Sequence, residues 1–395
     1  MSLHLPPSDT SDLKRRTDTV AKVAASAADD VDRTASFPEE AMAALREQGL
    51  LRPGPGAEPG RYWSAREVLA VSATLGQACA STAMIWAMHQ GQLLSVARQR
   101  TATEAARSFV DAAWHSQPLV ASLMSERRAV NPRHGNAACT DDGPGRIVIE
   151  KDVSVASYLD RADAALVVAR RSPDAPLTDQ LLVLADRSEV EVTKPTPWLA
   201  LGMRGTASGG CSAVIRTSRA NILPDTFSET SAHTTTPLTH IGWAGCWWGI
   251  ARAAVDRSRR YLQTPARSAG ELAAVKAVRL ARLTRLNDQI RSEAVALADV
   301  FDAEAGTRES SGALQVNNLR LSVAETASTV VLEALEVIGI DAYREREASR
   351  FSLSRHLRDV VSARVMMSAD RLQLANATFA RLPDDDPFVA AGLRD

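Results

Sequence analysis

Histidine and tryptophan side chains cluster at two places in the sequence, and these residue types suit acid/base chemistry beside an aromatic ligand. Trp86 and His89 lie three positions apart, and His240 is followed by Trp243 and Trp247. An imidazole exchanges a proton near neutral pH, and indole rings form apolar pocket walls that keep one polar N–H group. We take His240 as the first candidate for an acid/base group and His89 as the second. The alternative interpretation is that all of these side chains are ordinary core residues.

The common catalytic and cofactor motifs are missing. The sequence contains no GxGxxG after a predicted strand, no GxxxxGK[ST], no HExxH and no GxSxG. Its seven histidines show no spacing typical of metal ligands. We therefore expect no metal site.

The composition excludes several other classes of protein. The 395 residues are 45% apolar and carry 46 basic and 47 acidic side chains, which gives a net charge of −1 and no electrostatic signature of nucleic-acid binding. We find neither an apolar run of roughly 18 residues nor a basic stretch followed by an apolar segment at the start, so we expect no membrane partner and no secretion signal. Four cysteines lie far apart, at Cys79, Cys139, Cys211 and Cys246. We therefore expect a cytoplasmic protein from a reducing compartment.

The first part of the chain, from about residue 10 to 118, has helical patterning. Ser36 is a candidate N-cap for a helix that begins near Pro38 and ends at Gly49. The alanine-rich stretch 68–87 contains few helix breakers and predicts one long, mostly buried helix.

The middle part, from about residue 119 to 226, has short apolar runs separated by Pro and Gly clusters. The predicted strands include residues 147–149, 166–169, 181–184 and 189–192, the last of which alternates with period two. This pattern is typical of a small antiparallel sheet domain.

The last part returns to helical patterning after about residue 235. An apolar stripe with spacings of three and four runs through Leu283, Leu286, Ile290, Ala294, Leu297 and Phe301. A loop is expected at 305–312, followed by helices over 319–338, closed by Gly339, and over 360–382. The predicted fold class is α+β, mainly α, with a helical domain over 1–118, a β-sheet domain over 119–232 and a helical bundle over 233–395.

Three segments resemble the acyl-CoA dehydrogenase superfamily, and they occur in the order of that family. They are residues 37–51 (FPEEAMAALREQGLL), residues 201–208 (LGMRGTAS) continuing to Asn221–Pro224, and residues 355–359 (RHLRD). The resemblance implies a middle antiparallel β domain, a C-terminal four-helix bundle and a homodimer or homotetramer. It also implies a flavin, FAD with FMN as the alternative, between the sheet domain and the C-terminal helices.

The resemblance also assigns positions to the flavin-binding residues. Ser157 falls where the family has a Thr or Ser near flavin N5, and Ser125 with Glu126 matches a pair that meets the ring. The other cofactor-binding positions are Arg204 and Thr206 in the LGMRGT segment, Gly339, and Arg267 near the flavin pyrophosphate.

The residue that the family uses as its catalytic base is missing. That glutamate follows the aspartate of the RD pair by eight residues, and counting from Asp359 the position holds Met367. An alternative family position on the first helix of the C-terminal domain holds Thr239, followed by His240. A thioether cannot accept a proton, so Met367 cannot replace the glutamate. In lacking this base the sequence resembles the group D flavin monooxygenases of this fold, which receive reduced flavin from a separate reductase and react with O₂.

Three functions are compatible with these residues. The first is a flavin-dependent monooxygenase that hydroxylates an aromatic, heteroaromatic or cyclic intermediate of specialised metabolism. In one form of this hypothesis the intermediate is bound as a thioester. The second is an FAD-dependent dehydrogenase of an acyl-CoA or acyl-carrier-protein thioester with an unusual base, and the third is a non-catalytic scaffold. The candidate catalytic residues are His240, Ser157, Thr239 and His89, and the candidate pocket residues are Trp86, Trp243, Trp247, Met367 and Asp370.

Overall fold

The computed structural model describes residues 7–127, 134–265, 271–303, 312–379 and 381. The N-terminal helices are α1 (Pro7–Thr34), α2 (Glu39–Glu47), α3 (Ala65–Ala78), α4 (Ala80–Ala97) and α5 (Glu104–Ser116). The strands are β1 (Val120–Leu123), β2 (Thr140–Asp141), β3 (Arg146–Val153), β4 (Ala164–Arg170), β5 (Gln180–Asp186), β6 (Val190–Thr193), β7 (Cys211–Ser218) and β8 (Ile222–Thr226). The C-terminal helices are α6 (Phe227–Thr230), α7 (Thr236–Leu262), α8 (Glu271–Ala303), α9 (Ala313–Ile338), α10 (Ile340–Tyr343), α11 (Ser354–Val365) and α12 (Ala369–Phe379).

The strands form two four-stranded sheets, in the orders β1-β4-β5-β8 and β2-β3-β7-β6. The apolar runs of β4 and β5 are buried on both faces, and β3 alternates between buried and exposed positions, as their sequences indicate. The expectation of an antiparallel domain is wrong at one pair, because β1 runs parallel to β4. The connection between these two strands contains β2 and β3, which belong to the other sheet.

Helix α7 is the central element, since it packs against α3, α4, α8, α9 and α11. Glycine on α7 permits this close packing: a Cβ at Gly249 would lie 2.3 Å from the Ala73 carbonyl oxygen on α3. The buried residues of these helices and of the sheets belong to one continuous apolar core. The four helices α7, α8, α9 and α11 match the predicted C-terminal bundle.

Three predicted helix boundaries are wrong. Ser36 is not an N-cap, because α2 begins at Glu39 after Pro38 and shows no side-chain cap. The predicted helix over 68–87 is divided between α3 and α4 at Cys79, whose backbone is extended (φ −145°, ψ 111°). The predicted helix over 360–382 is interrupted between α11 and α12, where Met367 takes φ +58°.

Two predicted helix ends are confirmed. Gly49 takes φ +69° just after α2, and Gly339 takes φ +79° at the end of α9. Both conformations are readily available to glycine alone. Among the described helices, none has the combination of length and apolar composition that crossing a bilayer requires.

Candidate active site

The LGMRGT segment and helix α11 meet directly. The Met203 amide donates a hydrogen bond of 2.7 Å to Asp359 Oδ1. The preceding Gly202 has to be glycine, because a Cβ there would lie 2.1 Å from the Arg358 carbonyl oxygen. Arg358 forms ion pairs with Asp32 of α1 and with Glu345 rather than with its neighbour Asp359. Two of the three segments that carry the family resemblance therefore come together in space.

Asp359 is buried at this junction. Burial raises the pKa of its carboxyl group to about 6, against the opposing effects of Arg355 and of the Met203 hydrogen bond. The carboxylate is engaged with backbone and does not face the sites expected for the missing base.

A chain of three hydroxyl groups leads from this junction to Ser157. The oxygen atoms of Ser157 and Ser208 are 2.7 Å apart, and those of Ser208 and Thr206 are also 2.7 Å apart. The Thr206 hydroxyl donates to the Met203 carbonyl oxygen at 2.9 Å.

The direction of these hydrogen bonds follows from counting protons. Four contacts share three hydroxyl protons, because Ser208 Oγ also lies 3.4 Å from the Thr206 carbonyl oxygen, and both carbonyl oxygens can only accept. The three shorter contacts are all satisfied when Thr206 donates to Met203, Ser208 donates to the Thr206 hydroxyl and Ser157 donates to Ser208. Because Ser157 is half-buried and its proton is directed inward, it presents only oxygen lone pairs to a ligand on its exposed side.

Thr206 and Arg204 are directed into the protein rather than toward this exposed side. Thr206 is buried and acts on Ser157 only through Ser208. The Arg204 guanidinium donates to the Arg33 carbonyl oxygen near the end of α1, at 3.4 Å. Their predicted contacts with the cofactor are not supported by these positions.

Ser125 and Glu126 stabilise the loops around Ser157. The Ser125 hydroxyl donates to the Val155 carbonyl oxygen at 3.0 Å and accepts from the Val155 amide at 3.1 Å. The Glu126 carboxylate accepts from the amides of Asn136 and Ala137 and lies 3.5 Å from Lys151 Nζ. The Glu126 side chain is therefore occupied by the sheet domain.

Met367, at the family position of the catalytic base, lies against His240, which follows the alternative position Thr239. His240 Nε2 on α7 is 3.2 Å from Met367 Sδ in the break between α11 and α12. The His240 ring also stacks on Trp243, with centroids 5.5 Å apart and planes inclined by 23°. Thr239 faces α4 instead, where a Cβ at Gly91 would lie 2.5 Å from its hydroxyl oxygen. The pair contains no carboxylate.

His240 is electrically neutral in this environment. Burial and the nearby positive charge of Arg320 lower its pKa to about 3, with a smaller opposing effect from the Val316 backbone. The expected exchange of a proton near neutral pH is therefore not supported for this imidazole. Among the described residues, neither its Nδ1 nor Trp243 Nε1 has a hydrogen-bond partner of good geometry, although both atoms are buried.

Arg320 on α9 is a functional candidate that sequence reasoning missed. Its guanidinium carbon lies 4.3 Å from the centroid of the Trp247 ring and 6.0 Å from that of Trp243, and it donates to the Met366 carbonyl oxygen. The residue is only 2% exposed, and no carboxylate of the described residues pairs with it. The signal in the sequence is a charged residue on the apolar stripe of α9. Burial lowers the pKa of Arg320 to about 10, so it remains a cation at neutral pH.

Four predicted site residues lie outside the contact between His240 and Met367. Trp86 Nε1 donates to the Leu50 carbonyl oxygen at 2.8 Å, and Trp247 Nε1 donates to Ser362 Oγ at 3.1 Å, both in the core. His89 Nδ1 accepts from the Val120 amide, and its Nε2 bonds the Leu51 carbonyl oxygen, each at 3.1 Å. Burial lowers the pKa of His89 to about 4, so this histidine supports structure. Asp370 is exposed on the first turn of α12.

The remaining residues predicted to bind the cofactor are Gly339 and Arg267. Gly339 combines φ +79° with ψ −145°, and the space where a Cβ would lie is open within 4 Å, which fits close approach by a ligand or another subunit. Arg267 lies outside the described residues.

The surroundings of Ser157 fit the ring of a flavin. Val155, Leu201 and Met367 are 42%, 63% and 44% exposed, although their side chains are apolar. Val155 lies near Ser157 in the sequence, and Leu201 lies near Met203, which bonds Asp359. Met367 is the residue that contacts His240. Exposed apolar side chains of this kind are suited to contact with a largely apolar ligand.

Comparison with known proteins identifies the class of this protein. Residues 13–123 match the family model of the acyl-CoA dehydrogenase N-terminal domain, and residues 231–376 match that of the C-terminal domain. The two matches together span well over half of the chain, which therefore belongs to the acyl-CoA dehydrogenase family. Membership supports a flavin oxidoreductase, with the reaction still to be assigned. No curated protein sequence matches the chain.

Solved structures with the same fold include oxygenases, oxidases and dehydrogenases. FMN-bound TdsC from Paenibacillus sp. A11-2 has a TM-score of 0.79 at 19% identity, and the match covers 94% of this chain and 98% of TdsC. The prolyl acyl carrier protein oxidase AnaB gives 0.80 at 15% identity, over 96% and 100% of the two chains. Glutaryl-coenzyme A dehydrogenase bound to glutaryl-CoA gives 0.79 at 17% identity, over 100% and 98%. At these identities the similarity shows the fold.

Proposed function

We propose that this protein is a flavin-dependent monooxygenase that uses reduced flavin and O₂ to hydroxylate an aromatic, heteroaromatic or cyclic substrate. The observation that carries the proposal is the contact between His240 and Met367. Dehydrogenation of an acyl thioester needs a base for the α-proton, and proton transfer of this kind contributes roughly 10²–10⁴-fold to the rate. A thioether has no basicity, and the pKa of His240 is lowered to about 3.

The chain's own residues favour reduced flavin. A bound reduced flavin supplies the electrons for the reaction with O₂. N5 of reduced flavin carries a hydrogen, whereas N5 of oxidised flavin does not, so Ser157, at the position that the family resemblance assigns to N5, would present an acceptor to the reduced form. Ser208 and Thr206 are positioning residues that keep the Ser157 proton directed inward.

The remaining pocket residues exclude water and orient an apolar substrate. Trp243 and Met367 supply an aromatic face and a thioether beside the neutral His240. Apolar walls of this kind suit an aromatic substrate, and the Arg320 cation packs against the Trp243 and Trp247 rings beside them. Ser157 and His240 are the side chains proposed to contact the reacting groups.

The names of structural neighbours are compatible with this proposal. TdsC is described as a dibenzothiophene monooxygenase, and one of its structures contains FMN and indole. AnaB acts on a carrier-bound prolyl group, which keeps a thioester-bound ring within the range of substrates. We further propose that a separate reductase supplies the reduced flavin, that FMN and FAD are both to be tested, and that the protein is a homodimer or homotetramer. Exposed apolar side chains on α8, α9 and α10 support the last point: Leu272, Val275, Val278, Leu332, Ile340 and Tyr343.

The proposal can be tested against acyl thioester dehydrogenation in a single set of anaerobic titrations. The oxidised FAD and FMN complexes are mixed with butyryl-CoA and with glutaryl-CoA, and flavin absorbance is recorded. We expect no bleaching of the flavin, because Met367 and Thr239 occupy the two family positions of the base and neither is a carboxylate. Rapid bleaching by either thioester would overturn the monooxygenase proposal, and failure of both flavins to bind in either redox state would favour a non-catalytic scaffold.

A further inference from the structure

A buried positive charge lies close to His240 without a counter-ion. Arg320 of α9 is 2% exposed, and among the described residues no carboxylate forms an ion pair with it. Burial lowers the pKa of Arg320 to about 10, and no negative group raises it again. A buried arginine is costly to the folded protein unless a partner of opposite charge neutralises it.

The groups that Arg320 does contact are neutral. Its guanidinium carbon lies 4.3 Å from the centroid of the Trp247 ring and 6.0 Å from that of Trp243, and its Nη2 donates to the Met366 carbonyl oxygen. The face of an indole ring and a carbonyl oxygen both attract a cation, but neither carries a net charge. We call Arg320, Trp243 and Trp247 the arginine–tryptophan cluster.

Two donors of this cluster lack acceptors. Arg320 Nε and Trp243 Nε1 are both buried, and neither has a hydrogen-bond partner of good geometry among the described residues. Buried N–H groups of folded proteins are nearly always hydrogen-bonded, because an unpaired one has lost its bond to water without replacement. Two unpaired donors beside an uncompensated cation therefore point to a negatively charged acceptor.

The cluster adjoins the side chains proposed to contact the substrate. The Trp243 ring stacks on His240 with centroids 5.5 Å apart, and Met367 Sδ lies 3.2 Å from His240 Nε2. Met367 is 44% exposed, whereas His240, Trp243 and Arg320 are each at most 9% exposed. A ligand that enters at Met367 is therefore brought to the unpaired donors.

The charge of the ligand follows from the charge of the cluster. One negative charge neutralises one cation, whereas a phosphate group with two charges would leave a net negative charge buried. His240 is neutral and does not change this balance. A carboxylate has the required single charge, and it is a stronger acceptor for a guanidinium group than the carbonyl oxygen of Met366.

We propose that the substrate is an aromatic acid whose carboxylate pairs with Arg320 and whose ring packs against Trp243 and Met367. The inference rests on the proposed function, because it names the class of substrate for that site. The carboxylate takes the place of the Met366 carbonyl oxygen, which requires the break between α11 and α12 to shift. Met367 favours such a shift, since its φ of +58° lies in a region that residues other than glycine rarely adopt.

The test is a calorimetric comparison of aromatic acids with uncharged ligands of nearly the same shape. Phenylacetate, indole-3-acetate and the two corresponding amides are titrated into the full-length protein in the presence of oxidised FMN. We expect at least one acid to bind at least tenfold more tightly than its amide. In Arg320→Met this ratio is expected to fall to about one while the affinity for the amide is kept, which also reports that the variant is folded. Arg320→Lys retains the charge and is expected to keep part of the preference.

The matched control is Arg285→Met, which removes an exposed positive charge from the neighbouring helix α8 and is expected to keep the wild-type ratio. Three results would overturn the inference: equal affinity of each acid and its amide in the wild-type protein, no saturable binding of either acid, or a ratio that Arg320→Met leaves unchanged. The first two are measured on the wild-type protein and do not depend on the folding of a variant. Because binding is measured without turnover, these results leave the monooxygenase proposal untouched.

Discussion

Met367 and His240 are the two residues on which the proposed monooxygenase function chiefly depends. Each residue can be identified from the sequence alone: Met367 by its distance from Asp359, and His240 by its position on α7. The structure adds that they lie 3.2 Å apart. The neutrality of His240 was not predictable, because it depends on burial and on Arg320, which is 80 positions away in the chain.

The hydroxyl chain leads to a prediction about flavin affinity. In Ser208→Ala, Ser157 loses its acceptor and its proton becomes free to donate to N5 of oxidised flavin. A net hydrogen bond of about 1 kcal/mol corresponds to roughly fivefold, so the preference for reduced over oxidised FMN is expected to fall by about that factor. Equilibrium titrations of both redox forms measure it.

The control for this experiment is Ser212→Ala. Ser212 lies on the neighbouring strand β7, and its hydroxyl donates to Asp152 outside the hydroxyl chain. The control is expected to keep the wild-type preference. An unchanged preference in Ser208→Ala would contradict the assigned direction of the hydrogen bonds.

Arg320 leads to a second prediction at the residue scale. In Arg320→Met the positive charge that opposes protonation of His240 is lost, while the burial of the imidazole remains. The pKa of His240 is therefore expected to rise from about 3 but to stay below its usual value of about 6.5. Titration of the histidine resonances by NMR measures this shift, with His89 as an internal reference whose pKa depends on other groups. No movement of the His240 resonance would show that Arg320 does not act on it.

At the scale of elements, local patterns account for most strands and helices, but not for their breaks. Residues 189–192 and the runs inside β4 and β5 are recognisable because period and apolar content depend on neighbours in sequence. The breaks at Cys79 and Met367 depend on tertiary contacts, which no local pattern encodes. The second break matters most, because it carries Met366 to Arg320 and Met367 to His240.

The junction between the LGMRGT segment and α11 predicts a large effect of one methyl group. In Gly202→Ala the added Cβ would lie 2.1 Å from the Arg358 carbonyl oxygen, so backbone must move and the Met203–Asp359 bond is disturbed. We expect a loss of about 2 kcal/mol or more in the free energy of unfolding, measured in urea. Gly312→Ala is the control, because the space around that position is open. Equal stability of the two variants would contradict the close approach.

At the scale of the whole molecule, buried histidines predict acid sensitivity. Burial lowers the pKa of His89 to about 4 and of His240 to about 3, and it lowers that of His356 well below its usual value. The unfolded chain therefore binds more protons than the folded one below about pH 6.5, and stability falls as the pH is lowered toward 4. Asp359 acts in the opposite direction, because its raised pKa favours the folded state as the pH falls from 6.

Burial also raises the pKa of Asp302 from its ordinary value of 3.8. Three histidines outweigh these two carboxyl groups between pH 6.5 and pH 5, so the net effect has a definite sign. We expect the free energy of unfolding in urea to decrease by about 3 kcal/mol or more between pH 6.5 and pH 5. A constant or rising stability over this interval would show that these imidazoles are not held neutral in the folded protein.

The helix–sheet–helix order and the family resemblance were readable from the sequence, and the structure confirms both. The direction of the Ser157 hydroxyl and the arginine–tryptophan cluster were not readable, because each is assembled from residues far apart in the chain. The proposed monooxygenase reaction is tested most directly by stopped-flow mixing of the protein–reduced flavin complex with O₂. We predict that reoxidation proceeds in two resolved phases, with near-ultraviolet absorbance rising before the blue absorbance of oxidised flavin. A single phase that matches free flavin, together with anaerobic bleaching by an acyl thioester, would contradict the account.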